Sequence, residues 1–174
     1  MRSDKPIEIE TLVLGESTQV LETESSEDNR RLAVHMVQQA QHRVRIVSRH
    51  LDRPIYDHAD FVDAVKQMLL NNPRGRVEII VRDSAPILRR GHRLVALSQR
   101  LTSYMEIRSP AKQHEAFNAA LLLVDDCGFI DRTFSDRYGG TACLHDPRTC
   151  RALNEVFDGM WQAATPDLNL RRLV

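Results

Sequence analysis

The chain has 174 residues with 24 basic and 24 acidic side chains. The length suits one domain with one core, and the balance excludes the global field of a strongly basic nucleic-acid or membrane binder. Cys127, Cys143 and Cys150 have no CxxC spacing, which argues against a disulfide framework or a zinc ribbon and predicts a reducing, cytoplasmic setting. No apolar run approaches a membrane span, and the opening MRSDKPIEIE lacks a secretory apolar core, so a soluble, unexported protein is expected.

Charge is unevenly spread. Residues 1–42 carry four basic and eight acidic side chains, residues 43–113 fourteen and seven, and residues 114–174 six and nine. A basic middle therefore lies between acidic ends.

In chain order, residues 1–27 open with the strand-like alternation IEIETLVL and turn polar through ESTQVLETESSED, which predicts an N-terminal arm or edge strand with a loose connection. The domain proper is expected over 28–174. Ser25 and Ser26 followed by Glu27 and Asp28 form a helix start: a side-chain oxygen caps free N–H groups and carboxylates suit the dipole. Leu32, Met36, Val37 and Ala40 make its apolar stripe, and VRIVS at 44–48 reads as a strand.

After RHLDRPIYD, with Asp57 as the expected N-cap, a second helix presents Phe61, Val62, Val65, Met68 and Leu69 and stops at NNPRG. VEIIV is a buried strand. A third helix is expected from Pro86 to about Leu101, interrupted or kinked near Gly91, with Ile87, Leu88, Leu94, Val95 and Leu97 inward. YMEIRS and AALLLV read as strands, GFIDR and GGTACL as weaker ones. Leu153, Val156, Phe157, Met160, Trp161 and Ala164 mark a final helix that docks on the sheet. Alternating helices and buried apolar strands predict an α/β protein with a mixed, largely parallel sheet flanked by helices.

This order, together with RGRVEIIV and LLLVDDCGFI, resembles one half of the phospholipase D-like superfamily over residues 28–164. The family's motif is His-x-Lys-x4-Asp, followed after six residues by Gly-Ser. The resemblance implies a histidine nucleophile toward phosphorus, a lysine on the phosphoryl oxygens and an aspartate that orients the imidazole. Side chains at i and i+2 of a strand share a face, so nucleophile and cation meet one phosphate.

Taking His114 as the nucleophile puts Ala116 and Leu121 at the lysine and aspartate positions, and that register fails. Taking Asp125 as the aspartate aligns the apolar strand and puts Asn118 at the histidine, Ala120 at the lysine, and Arg132 and Thr133 at Gly-Ser. Asn118 has no nucleophilic lone pair on nitrogen, and Ala120 carries no charge for a phosphoryl transition state. The resemblance thus implies a degenerate domain that has lost catalysis and acts as a binding or interaction module, without cofactor.

Because family enzymes join two motif copies at one interface, a homodimer is expected. A retained cleft would hold a phosphate-containing ligand or nucleic-acid backbone through Arg49, His50, Arg132 and Thr133. Arg49 and His50 follow the first strand, where α/β sheets place ligands. One rival is an active phosphodiesterase or nuclease that uses His114 with Lys112, converging with Asp125. Another is a protein-binding accessory domain whose contact face is the basic cluster Arg89, Arg90 and Arg93, where few aromatics interleave for base stacking. The grouping His50, Asp52, Asp57 and His58 matches no metal spacing, and no metal site is expected.

Overall fold

The computed structural model of the protein describes residues 8–171. In chain order the elements are β1 (Leu21–Thr23), α1 (Ser26–Gln39), β2 (Arg43–Ser48), α2 (Arg53–Tyr56), α3 (Ala59–Asn71), β3 (Arg76–Val81), α4 (Ala85–Arg90), α5 (Arg93–Arg100) and β4 (Met105–Ser109). A 3₁₀ turn at Lys112–His114 leads to β5 (Ala120–Val124), β6 (Gly128–Arg132), β7 (Gly140–Cys143), α6 (Pro147–Ala163), β8 (Thr165–Pro166) and α7 (Leu168–Arg171). No described helix is long and apolar enough to cross a membrane.

The described strands form one mixed sheet in the order β1-β7-β6-β5-β2-β3-β4-β8. Only β2, β3 and β4 run parallel to their neighbours in that series, while β5 joins β2 antiparallel and leads a meander into β6 and β7. Side chains of alternate parity divide the core. On one face Val44, Ile46, Val77 and Ile79 pack with Leu32, Met36, Phe61, Val65, Leu94 and Val95 of the helices. On the other face Val47, Ile80, Leu121, Leu123 and Phe129 pack with Cys150, Phe157 and Met160 of α6. A strand that is apolar at every position, such as β5, is the consequence of burial on both faces.

Local signals explain the boundaries. The Ser25 hydroxyl accepts from the Asp28 N–H at 3.0 Å, and the Asp28 carboxylate accepts from the Ser25 N–H at 3.2 Å, a complete capping box. Asp146 caps α6 by accepting from Thr149 N–H at 3.0 Å, with Pro147 pre-set for the first turn.

Three expectations are corrected. IEIETLVL is not a strand over its described residues: Ile9 and Leu12 are buried in a turn, and the edge strand is β1, inside the polar stretch. Asp57 does not cap α3; it closes α2, and its carboxylate accepts from the Arg93 N–H at 2.9 Å and pairs with Arg53 at 2.6 Å. Leu88 is not inward: the third helix is interrupted at Gly91, which takes φ 74 between α4 and α5, and Leu88 is 52% exposed.

Candidate functional site

Parallel β2, β3 and β4 place their carboxyl ends at one end of the sheet, and antiparallel pairing brings the entry of β5 and the exit of β6 there too. Arg49 and His50 follow β2, and Arg82 follows β3. The Lys112–His114 turn follows β4, Asn118 precedes β5, and Arg132 and Thr133 end β6. The rim is therefore assembled from five chain segments.

Asp125 is elsewhere. It follows β5, so about seven residues at about 3.3 Å each separate it from Asn118, roughly 20 Å. Its carboxylate accepts from the backbone N–H groups of Gln41, His42 and Arg43 at 2.7, 2.8 and 2.9 Å. The residue adopts φ 52 and ties the β5–β6 turn to the entry of β2. Asp125 therefore lies away from Asn118, and Lys112 and His114 do not converge with it.

Asn118 is held in place by oxygen. Its side-chain carbonyl accepts from Ser135 Oγ at 3.0 Å and Arg82 Nη2 at 3.4 Å, while its backbone carbonyl accepts from Ser135 N–H at 2.8 Å. Arg82 Nη2 also donates to Ser135 Oγ at 3.1 Å, and Nη1 donates to the Phe117 carbonyl. Every acceptor around Arg82 is neutral. Backbone bonds from Arg82 N–H to Ser48 and from Asp83 N–H to Arg49, 3.1 and 2.8 Å, carry the ladder beyond β2 and β3 and bring Arg49 beside Arg82. Burial, and then the neighbouring Arg49 charge, pull the Arg82 pKa down. Arg49 is exposed, and its side chain makes no hydrogen bond or ion pair with a described residue. His50 is turned toward Asp83, with Nδ1 3.2 Å from its carbonyl and 3.6 Å from its carboxylate.

Arg132, expected at the lip, is instead 3% exposed. It lies directly across the ladder from Ala120, where the missing side chain leaves room. Its Nη2 donates to Asp52 at 2.6 Å, and the Tyr138 ring lies 5.4 Å from the guanidinium. Gly140 permits this packing: a Cβ there would stand 2.5 Å from the Asp131 carbonyl and 2.9 Å from Arg132 Cγ. Asp52 also accepts from Ser48 Oγ at 3.1 Å. A buried guanidinium needs such a partner, since an unpaired one carries the full desolvation cost. Thr133, next in sequence, is exposed.

Of the remaining expected residues, Lys112 is exposed, whereas His114 Nδ1 is buried without a hydrogen-bond partner. Arg89 and Arg90 are exposed at the end of α4; Arg93 bonds Asp57 through its backbone N–H and through Nη1 at 3.3 Å. Ser135 and Gly140 had no signal in the sequence, because one acts through residues more than fifteen positions away and the other through a close backbone approach; Asp52 stood out only in a grouping without metal spacing, since its partner Arg132 is eighty positions away. Arg82 was legible as a second arginine directly after a strand. Among the described residues no group of three or more His, Cys, Asp or Glu side chains gathers in a way that could hold a metal.

Comparison with solved structures places the fold. TrmBL2, an archaeal chromatin protein with a novel mode of DNA binding, superposes with a TM-score of 0.61 at 13% identity, covering 84% of this chain and 52% of its own. Nuc, a phospholipase D family member from Salmonella typhimurium, gives 0.58 at 13% identity, covering 86% of this chain and 97% of its own. Phosphatidylserine synthase of Haemophilus influenzae Rd KW20 gives 0.62 at 13% identity over 93% of this chain. This chain spans about half of TrmBL2 and 41% of the synthase. The fold therefore resembles that of the phospholipase D superfamily, at identities that speak to the fold alone. No curated protein matches in sequence. The model for the domain of unknown function DUF7931 matches residues 25–173, and the chain belongs to that family.

Proposed function

We propose that this domain is a phospholipase D-like binding module without phosphodiesterase activity, and that it recognises the phosphates of a nucleic-acid backbone at the carboxyl ends of β2 and β3. The observation that carries this reading is the adjacency of Arg49 and Arg82 with only neutral acceptors around Arg82 and no carboxylate paired to either. Two like charges held side by side are relieved by an anion, and a phosphate oxygen is the anion a guanidinium fork fits. Exposed Lys112 extends the same rim. The DNA binding of the similar TrmBL2 is in keeping with this ligand.

Loss of catalysis follows from the motif positions. Asn118 is no nucleophile, Ala120 no cation, and Asp125 serves three backbone N–H groups about 20 Å away. Arg132, the cation across the ladder from Ala120, is neutralised by Asp52 and cannot replace the lysine. We further propose that two copies pair so that their rims face one ligand; light scattering that returns a monomer mass at working concentration would remove that part.

The test is binding of a labelled oligonucleotide as a function of salt. At low salt the protein binds, and log K falls with log salt at a slope of about −2 from two to three phosphate contacts. Arg49→Ala reduces that slope by about one. No binding at low salt would refute the reading and leave the exposed Arg89–Arg90 turn as a protein contact.

A further inference from the structure

Phe134 is the only aromatic among the strongly exposed large apolar side chains of the described residues, at 48% exposure. It sits within the basic rim. Its predecessor by two is buried Arg132, and its successor Ser135, itself buried, hydrogen-bonds both Arg82 and Asn118. The Phe134 turn is therefore anchored on both sides, and the Arg137 N–H closes it on the Phe134 carbonyl at 3.1 Å. The Arg137 guanidinium lies 5.1 Å from the Phe134 ring centroid. Nothing in either hydrophobic core uses this ring.

We propose that Phe134, backed by Arg137, is a base-stacking platform, and that the ligand of the rim is single-stranded nucleic acid. This rests on the phosphate-binding reading above and specifies its substrate class. A duplex hides its base faces in the stack, so a solitary exposed ring contributes little to binding it. An unpaired base offers a π-face to any aromatic platform regardless of sequence. A guanidinium held near the ring adds a cation that a neighbouring phosphate or base can also engage. Phosphates on Arg49 and Arg82 with a base on Phe134 use both kinds of contact that single-strand binders combine. The recognition is then sequence-tolerant, because the described rim presents one stacking surface and few base-edge readers.

The experiment compares three fluorescent probes of equal length with the full chain at low salt: oligo(dT), an abasic oligomer with the same backbone, and a duplex. Oligo(dT) binds more tightly than the abasic oligomer or the duplex. Phe134→Ala weakens oligo(dT) by roughly 5- to 100-fold, down to the abasic level. Its affinity for the abasic oligomer is unchanged, whereas Arg49→Ala weakens both. Phe134→Leu, which keeps the apolar volume, is weakened as well, separating stacking from folding. Equal affinity for oligo(dT) and the abasic oligomer, or an unaltered Phe134→Ala, overturns the stacking proposal while the phosphate reading stands. A Phe134→Ala protein that changes only its oligomeric state assigns the ring to a protein contact, which also overturns it. Absence of binding to all three probes refutes the underlying reading instead.

Discussion

Asp52 and Arg132 meet at 2.6 Å with the guanidinium almost wholly buried, and removing one partner has a different consequence from removing both. Asp52→Asn leaves a buried charge and is expected to lower stability by about 3–5 kcal/mol in urea titrations. Asp52→Asn combined with Arg132→Met removes the orphaned charge and is expected to recover much of that loss. A single-variant loss that the double variant does not recover would mean that the packing around Tyr138, not the charge pair, organises this corner. His92 supplies a pH-dependent counterpart. Its Nε2 lies 2.8 Å from the Leu51 carbonyl, and Nδ1 accepts from Leu94 N–H at 3.1 Å, so the neutral ring satisfies both contacts. Burial, opposed by the Leu51 hydrogen bond and the Asp57 charge, holds its pKa below the usual histidine value. Since the folded pKa is the lower one, this contribution to stability is present above the unfolded value near 6.5 and is lost as pH falls below it. Urea midpoints at pH 7.5 and 5.5 should differ more for the native protein than for His92→Asn, which keeps a capping oxygen without titrating in that range.

At the scale of elements, Asp125 separates structure from inheritance. Its three backbone acceptor contacts join the β5–β6 turn to the start of β2. Asp125→Ala should cost about 1–3 kcal/mol, because freed N–H groups at this partly exposed junction regain water only in part. Oligonucleotide affinity of the folded variant should be unchanged, and a large loss of affinity would show that the residue still serves a site. The strands of the core were legible in the sequence because β5 is apolar at every position and β2 and β3 are dense in β-branched residues, and α1 because its capping box is local. The α4–α5 break was half legible. Gly91 signalled an interruption or a kink, but not that the break, with φ 74, leaves Leu88 turned outward. IEIETLVL misled because its apolar residues alternate as in a strand while the described ones fill a turn that bonds α1: His35 Nε2 and Gln39 reach the Leu12 carbonyl at 2.7 and 3.3 Å. Buried Arg45 was invisible in the same way. Its partners Glu78, Asn154 and Asp158 arrive from a neighbouring strand and from α6.

For the whole molecule, equal numbers of acids and bases say nothing of where each charge sits. The carboxyl ends of β2 and β3 collect Arg49 and Arg82, whereas the opposite end holds Asp125 and the Arg43–Asp126 pair at 2.6 Å. Arg49 was legible from its place directly after the first strand, and Asn118 from the Asp125 register. That Arg132 is internal was not, since its depth is set by Ala120 and Gly140 across two different strand pairs. On the proposed reading, with phosphates on Arg49 and Arg82 and no nucleophile at Asn118, the protein should hold its ligand and leave it intact. The most direct measurement incubates an end-labelled oligonucleotide with excess protein at low salt and reads the bound fraction on a native gel and strand length on a denaturing gel. A shifted, full-length strand whose shift weakens in Arg49→Ala is the expected result. Shortened product that scales with protein concentration and disappears in His114→Ala or Lys112→Ala would contradict it.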